Sequence, residues 1–260
     1  MGDAPSWNKV SSFSHEDDDL SIESGKTTGG IGQAVQNFLA YWGFFRYNDK
    51  YNKKMEDFAM AKLYFKYGAM GSSKTAQALI TKYNYEENDM KVWLIKPSAD
   101  VRDGVDILRS RIGLHAQVQV IPPEADVYTV FTQTCMGACD VIIVDECQFL
   151  TANQIEQLRA IVNDFEVPVL CFGLRTDFQT KLFPGSMRLM ELADVIEEIK
   201  TMCDCGAKAT VNARIDCNGH IVTEGAQVLL GGNDAYIAMC HRCYIHGIRD
   251  KKIIKLHGQN

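Results

Sequence analysis

The sequence has no apolar run approaching the roughly 18–20 residues that a helix needs to cross a bilayer, so no membrane span is expected. No basic stretch followed by an apolar one lies near Met1. A secretory leader is therefore not expected, and the chain reads as cytoplasmic. Basic residues are the minority: 27 Lys and Arg against 33 Asp and Glu give a formal net charge of −6. A broad nucleic-acid-binding surface calls for the opposite balance, leaving room only for local basic patches. No internal repeat is visible, which sets solenoids and propellers aside. Cysteine is present at nine positions, but a disulfide framework belongs to small secreted chains. Four of the nine form two tight pairs near the C-terminus, while Cys135, Cys139, Cys147, Cys171 and Cys217 are scattered. Cys171 lies in an apolar run, where a thiol behaves as a small hydrophobe. A reducing compartment and one metal site account for this pattern better than disulfides.

What is there divides into three parts and a tail. Residues 1–60 form an extension of unknown role, expected to be partly disordered. Its stretch 11–26 is rich in Ser, Asp, Glu and Gly, the composition of segments that cannot bury enough apolar surface to fold. The aromatic stretch 38–47 reads as a segment packing on the main domain or a neighbouring subunit, with a partner or membrane-surface contact as the alternative. The opening Met1-Gly-Asp-Ala-Pro-Ser6 also fits the loose N-myristoylation pattern. Residues 61–199 read as α/β, with strands at 63–67, 92–95, 118–121, 141–144 and 167–172 and helices at 74–83 and 152–163. The run Val141-Ile-Ile-Val144 is of the sort buried on both faces of a parallel sheet. Strands alternating with helices predict a parallel sheet covered on both sides. Residues 200–248 hold strand-like pieces framed by the cysteine pairs, and 249–260 form a C-terminal tail.

Gly68, Ala69, Met70, Gly71, Ser72, Ser73, Lys74 and Thr75 follow a predicted strand and open a predicted helix, the context a P-loop requires. The backbone N–H groups of such a loop and the helix N-terminus supply positive potential for phosphate oxygens. Lys74 would reach the β- and γ-phosphates of ATP, and the Thr75 hydroxyl would bind Mg²⁺. Ser73 stands where the usual pattern has Gly; if that position takes a positive φ, Ser carries strain. The plainer alternative is a strand–loop–helix corner with a chance Lys-Thr. The run 141–144 then ends in Asp145-Glu146. An Asp there can hold Mg²⁺ beside Thr75, and the next carboxylate can act as general base. Ligands of open parallel sheets bind outside these strand ends, although a solvated acidic turn would look the same in sequence.

Cys203-x-Cys205 precedes Cys240-x-x-Cys243, and two close thiolate pairs can close a tetrahedral, structural Zn²⁺ site. The second pair has zinc-ribbon spacing and the first is tighter; His241 is a poorer ligand candidate than Cys243. Redox-active thiols are the alternative.

Gly68-Ala-Met70, Asp145-Glu-Cys-Gln-Phe149, Gly173-Leu-Arg-Thr-Asp-Phe178 and Gly231-Gly-Asn-Asp-Ala-Tyr236, in this order with the cysteine pairs, resemble the thymidine kinases of the human cytosolic and bacterial type. The resemblance covers about 61–247 and is silent on the extension. It implies a parallel-sheet P-loop (RecA-like) domain with a small zinc-ribbon lid module. It implies transfer of the ATP γ-phosphate to the 5′-hydroxyl of thymidine, and of deoxyuridine, giving dTMP and ADP in nucleotide salvage for DNA synthesis. Residue by residue, Glu146 corresponds to the base that takes the 5′-hydroxyl proton, with Lys74 and Arg102 supplying charge. Asp145, Glu146, Cys147 and Gln148 match a stretch on the ATP side. Asp100 and Arg102 match an Asp-x-Arg segment near the phosphates, with a plain surface charge as the alternative for Arg102. Met70, Phe149, Leu174, Phe178 and Phe183 match the apolar nucleoside pocket. Gln227, Val228, Leu229, Leu230 and Gly231 match a lasso that reads the base through its backbone. Tyr236 corresponds to a sugar contact, or else to a half-buried strand tyrosine. The resemblance also implies dTTP as feedback inhibitor and a homotetramer, with no nucleic-acid partner. Two other readings stay open: a P-loop ATPase with a zinc ribbon acting on DNA, and a catalytically silent nucleotide-binding protein, which Ser73 keeps in view.

Overall fold

The computed structural model describes residues 60–100, 106–135, 138–227 and 236–254. The extension with its acidic and aromatic stretches, Arg102, Val228, Leu229, Leu230 and Gly231 lie outside the described residues.

The chain enters through strand β1 (Leu63–Tyr67) and turns through the phosphate loop into helix α1 (Lys74–Glu86). Strand β2 (Val92–Pro97) is followed by a short antiparallel hairpin, β3 (Ile107–Arg109) and β4 (His115–Gln117). Then come β5 (Gln119–Ile121), α2 (Val127–Cys135), β6 (Val141–Val144), a 3-10 turn (Cys147–Phe149) and α3 (Ala152–Phe165). Strand β7 (Val169–Gly173), helix α4 (Pro184–Leu192) and strand β8 (Val195–Glu198) complete a six-stranded sheet. Its order is β5-β2-β6-β7-β1-β8, with every neighbouring pair parallel.

Alternation along β6 explains the layering. Ile142 and Val144 pack with Trp93, Phe131, Ile155 and Leu158 on one face, whereas Val141 and Ile143 pack with Leu79, Leu170 and Phe172 on the other. All four β6 side chains are fully buried, and each such burial is worth about 1.5–3 kcal/mol. Helix α3 presents Ile155, Leu158, Ile161 and Val162 to that core at helical spacing. It is started by a capping box between Thr151 and Gln154 and ends where Glu166 turns left-handed.

Helix α1 runs three residues beyond its predicted end, and β7 begins two residues later than predicted, after Pro168, which has no N–H for the ladder. Helix α2 was not legible from composition, because Val127, Thr129, Val130 and Thr132 are β-branched and favour strands. Local capping and burial decide otherwise: Asp126 Oδ1 accepts from the Thr129 N–H at 2.7 Å, and Val127 and Phe131, one turn apart, are both buried.

The remaining elements form the second, smaller sheet: β9 (Val211–Ile215), β10 (Ile221–Val222) and β11 (Tyr236–Met239), antiparallel in the order β10-β9-β11, with helix α5 (His241–Arg249) following. The cysteine pairs lie before β9 and at the start of α5.

In the phosphate loop Ser73 sits at φ 62°, ψ 25°, and its side chain makes no cap hydrogen bond to the helix it precedes. The position therefore does take the left-handed conformation, at a cost of about 1–2 kcal/mol for a residue with a Cβ. Ser73→Gly is expected to be neutral or stabilising by up to about 1 kcal/mol, and Ser73→Val to destabilise by about 1–2 kcal/mol. Thermal midpoints of the two variants check this; a loss with Gly equal to that with Val would show that the serine side chain itself supports the loop.

Candidate active site

The phosphate loop is pinned from three sides. The Gly68 N–H donates to Gly173 O at 3.2 Å, joining the ends of β1 and β7. A Cβ on Gly68 would stand 2.4 Å from Ile199 O and from Ser72 Oγ, so only glycine fits there. Lys74 folds back over the loop, its Nζ donating to Ala69 O at 2.9 Å and Ser72 Oγ at 3.4 Å. The Met70 N–H donates to Asn212 Oδ1 at 2.8 Å, so β9 of the small sheet holds the loop as well.

The acidic pair stands two strands away, because β7 lies between β1 and β6. Two strand spacings are about 9.5 Å, and Thr75, on the first turn of α1, closes the gap. Its Oγ1 donates to Asp145 Oδ2 at 2.8 Å. The other carboxylate oxygen, Oδ1, is buried without a hydrogen-bond partner among the described residues. Burial first, and the Glu146 charge second, push Asp145 up to about 7. A hydroxyl beside a carboxylate with an unpaired buried oxygen is the oxygen-donor chemistry that a hard divalent cation takes, so these residues fit Mg²⁺.

Glu146 is itself in the left-handed region, at φ 49°, ψ 37°. Strain of this kind at a non-glycine residue persists only where the surroundings enforce it. Part of that enforcement is Gln148, whose Nε2 donates to Glu146 Oε2 while its Oε1 accepts from the Leu174 N–H at 2.9 Å. Gly173 leaves room for this arrangement, since a Cβ there would lie 2.6 Å from both Cys147 Sγ and Gln148 Oε1. The Cys147 side chain faces the core; burial, then Cys171, hold its thiol well above the ordinary range. Its side chain thus offers no ligand, and any part it takes in the site is through the backbone.

Asp100 is buried and pairs with Lys96 at 3.6 Å, the Lys96 Nζ donating also to Ile107 O at 3.0 Å. Lys96, fully buried at the end of β2, was not singled out in sequence.

The apolar candidates fall into two groups. Phe149 and Phe183 meet edge to face, with ring centroids 5.6 Å apart. Leu174, which follows β7, is held at both backbone groups, its N–H by Gln148 and its carbonyl by the Ser186 hydroxyl at 2.6 Å. Phe178 is instead covered by the guanidinium of Arg214, 3.7 Å from the ring centroid. The same guanidinium bonds the Tyr236 hydroxyl and the Gln227 carbonyl. Asn212 and Arg214 escaped the sequence reading because alternating polar residues in a strand read as its solvent face. Both are buried here.

Cys203, Cys205, Cys240 and Cys243 bring their sulfurs within 4.8 Å of one another. Zn–S bonds of about 2.3 Å in a tetrahedron set sulfurs about 3.8 Å apart, and Cys205 and Cys240 are separated by 3.7 Å. Hydrogen bonding with neighbouring thiols, Cys205 first and then Cys240, pushes Cys243 up to about 12. Four thiols so close repel as thiolates unless a cation sits among them, so the set fits a structural Zn²⁺.

The thymidine kinase family profile matches residues 61–244, which span the phosphate loop, the acidic pair and the cysteines. The thymidine kinase of Ruegeria pomeroyi is 44% identical over 185 residues, 70% of this chain and 93% of that protein. That of Pasteurella multocida is 43% identical, covering 71% and 97%. The thymidine kinase of Chromobacterium violaceum is 45% identical, covering 72% of this chain and the whole of that protein. The chain belongs to the thymidine kinase family.

Proposed function

We propose that this chain transfers the γ-phosphoryl group of ATP to the 5′-hydroxyl of thymidine, with deoxyuridine as a second substrate, releasing dTMP and ADP for nucleotide salvage. The observation that carries the mechanism is the Thr75–Asp145 hydrogen bond at the C-terminal ends of the strands, with Glu146 next in the chain. The phosphate loop binds the triphosphate through its backbone N–H groups, and Lys74 leaves Ala69 and Ser72 to meet the β- and γ-phosphates. Thr75 and Asp145 would hold Mg²⁺, which when bound offsets charge on the phosphate oxygens. Glu146, aimed by its backbone and by Gln148, accepts the proton of the 5′-hydroxyl. As the O5′–phosphorus bond forms, the bond from the γ-phosphorus to the β,γ-bridging oxygen breaks and ADP leaves. Phe149, Leu174, Phe178, Phe183 and Met70 supply apolar surface for the nucleoside, and Gln227 and Tyr236 the polar edge. A Zn²⁺ held by the four cysteines would fix the module that carries Gln227 and Tyr236.

On the strength of the family resemblance we extend the proposal to a cytoplasmic homotetramer inhibited by dTTP, its pathway end product. An ATPase acting on DNA through the zinc ribbon fits less well, because β9 turns Asn212 and Arg214 toward the phosphate loop and Phe178.

Glu146→Gln is expected to lower kcat by about 10²–10⁴-fold with KM for ATP nearly unchanged; a loss below tenfold in steady-state assays would remove Glu146 as the base. Elemental analysis should find about one zinc per chain, as one four-cysteine site would hold. Cys240→Ser should lose that zinc together with thermal stability, whereas a zinc-free chain that is folded and fully active would contradict the structural role.

A further inference from the structure

Strand β9 places Asn212 and Arg214 two residues apart, both buried, so they share one face. Among the described residues no carboxylate forms a salt bridge with Arg214. Its guanidinium is instead stacked on Phe178 at 3.7 Å and directed at two oxygens. Nε and Nη2 both donate to Tyr236 Oη, at 3.0 and 2.6 Å, and Nη2 also donates to Gln227 O at 3.1 Å. Arginine has no acceptor and does not lose its charge, so the direction of these bonds is fixed. A phenolic oxygen has limited acceptor capacity and one O–H to donate. With two N–H groups of one fork already on that oxygen, Tyr236 has only its O–H left to offer.

We propose that Arg214 is a positioning residue of the nucleoside pocket: it makes the Tyr236 hydroxyl an obligate hydrogen-bond donor, so the pocket takes an acceptor oxygen of the sugar at this point and disfavours a group that can only donate. This rests on the reading of Tyr236 as a nucleoside contact. Its consequence is a selectivity rule set by the strand beneath the contact. A sugar hydroxyl satisfies the Tyr236 donor, and an ammonium group in its place meets a donor and a nearby guanidinium.

The test is a double-mutant cycle on the full chain, with Tyr236→Phe, Arg214→Lys and both together, measuring KM for thymidine, KM for ATP and zinc content. A point-donor lysine cannot chelate the phenol oxygen as the fork does. Each single change is expected to raise the thymidine KM about 5–10-fold, and the double change no more than about twofold beyond either single one, because the two act through one hydroxyl. KM for ATP and zinc content should stay within about twofold of wild type. Multiplicative effects in the double variant, or an equal rise in KM for ATP with loss of zinc, would show that Arg214 is merely structural and overturn the proposal. An unchanged thymidine KM in Tyr236→Phe would instead sink the underlying reading of Tyr236. If Arg214→Lys does not fold, 3′-amino-3′-deoxythymidine decides on wild type and Tyr236→Phe alone. Wild type should use it at least about tenfold less well than thymidine, and Tyr236→Phe should reduce that discrimination at least threefold. Equal discrimination in the two proteins would overturn the proposal.

Discussion

The hydrogen bond from Thr75 to Asp145, 2.8 Å long, joins residues 70 positions apart and holds the ends of β1 and β6 in one constellation although β7 separates them. The surrounding architecture serves that contact. Parallel strands deliver both ends to the same edge of the sheet, and complete burial of β6 fixes the height at which Asp145 emerges. The contact has a cost: Asp145 loses water, its Oδ1 has no partner among the described residues, and burial together with the Glu146 charge raises its pKa to about 7. Two non-glycine residues beside the site, Ser73 and Glu146, are left-handed. Each such residue costs on the order of 1–2 kcal/mol, set against a typical domain stability of about 5–15 kcal/mol. A cation between Thr75 and Asp145 would relieve the electrostatic part of that burden.

The small module depends on a different constraint. Three short antiparallel strands and one helix bury only a small cluster, including Val211, Ile215, Ile237, Met239 and Tyr244. A core of that size does not sustain a fold without a staple, and a Zn²⁺ held by the four cysteines, whose sulfurs lie within 4.8 Å of one another, would provide one. Side-chain hydrogen bonds tie this module to the loops of the larger sheet. Asn212 holds the Met70 N–H and donates to Thr176 O at 3.0 Å, and the Tyr244 hydroxyl donates to Phe178 O at 2.9 Å. Gln227 reaches Asp177 at 3.0 Å, and Gln179 reaches Thr223 O at 2.9 Å. The cysteine cluster is thereby connected to both the phosphate loop and the turn carrying Phe178, and Ala69 of the loop shares a buried cluster with Cys203 and Cys240.

Features encoded in contiguous sequence were legible. The parallel-sheet class followed from apolar runs alternating with helices, the phosphate loop from its glycines and Lys-Thr, and the cysteine set from its spacing. Features that depend on distant partners were not. Asn212 meets Met70 across 142 positions, and nothing around Val211-Asn-Ala-Arg-Ile215 marks its polar residues as buried. Lys96 reads as a strand-end charge until Asp100 and Ile107 are seen to enclose it. Cys147, matched by resemblance to a stretch on the ATP side, buries its side chain beside Cys171 in the core, so only its backbone is available to the site. Helix α2 shows that capping by Asp126 and two well-placed apolar residues can outweigh a β-branched composition.

Coupled phosphoryl transfer is tested most directly by following γ-labelled ATP with thymidine, separating nucleotides and quantifying ADP in the same reaction. Labelled dTMP is expected one-for-one with ADP, dependent on Mg²⁺ and on thymidine. ADP released with free phosphate and no labelled nucleoside monophosphate would contradict it.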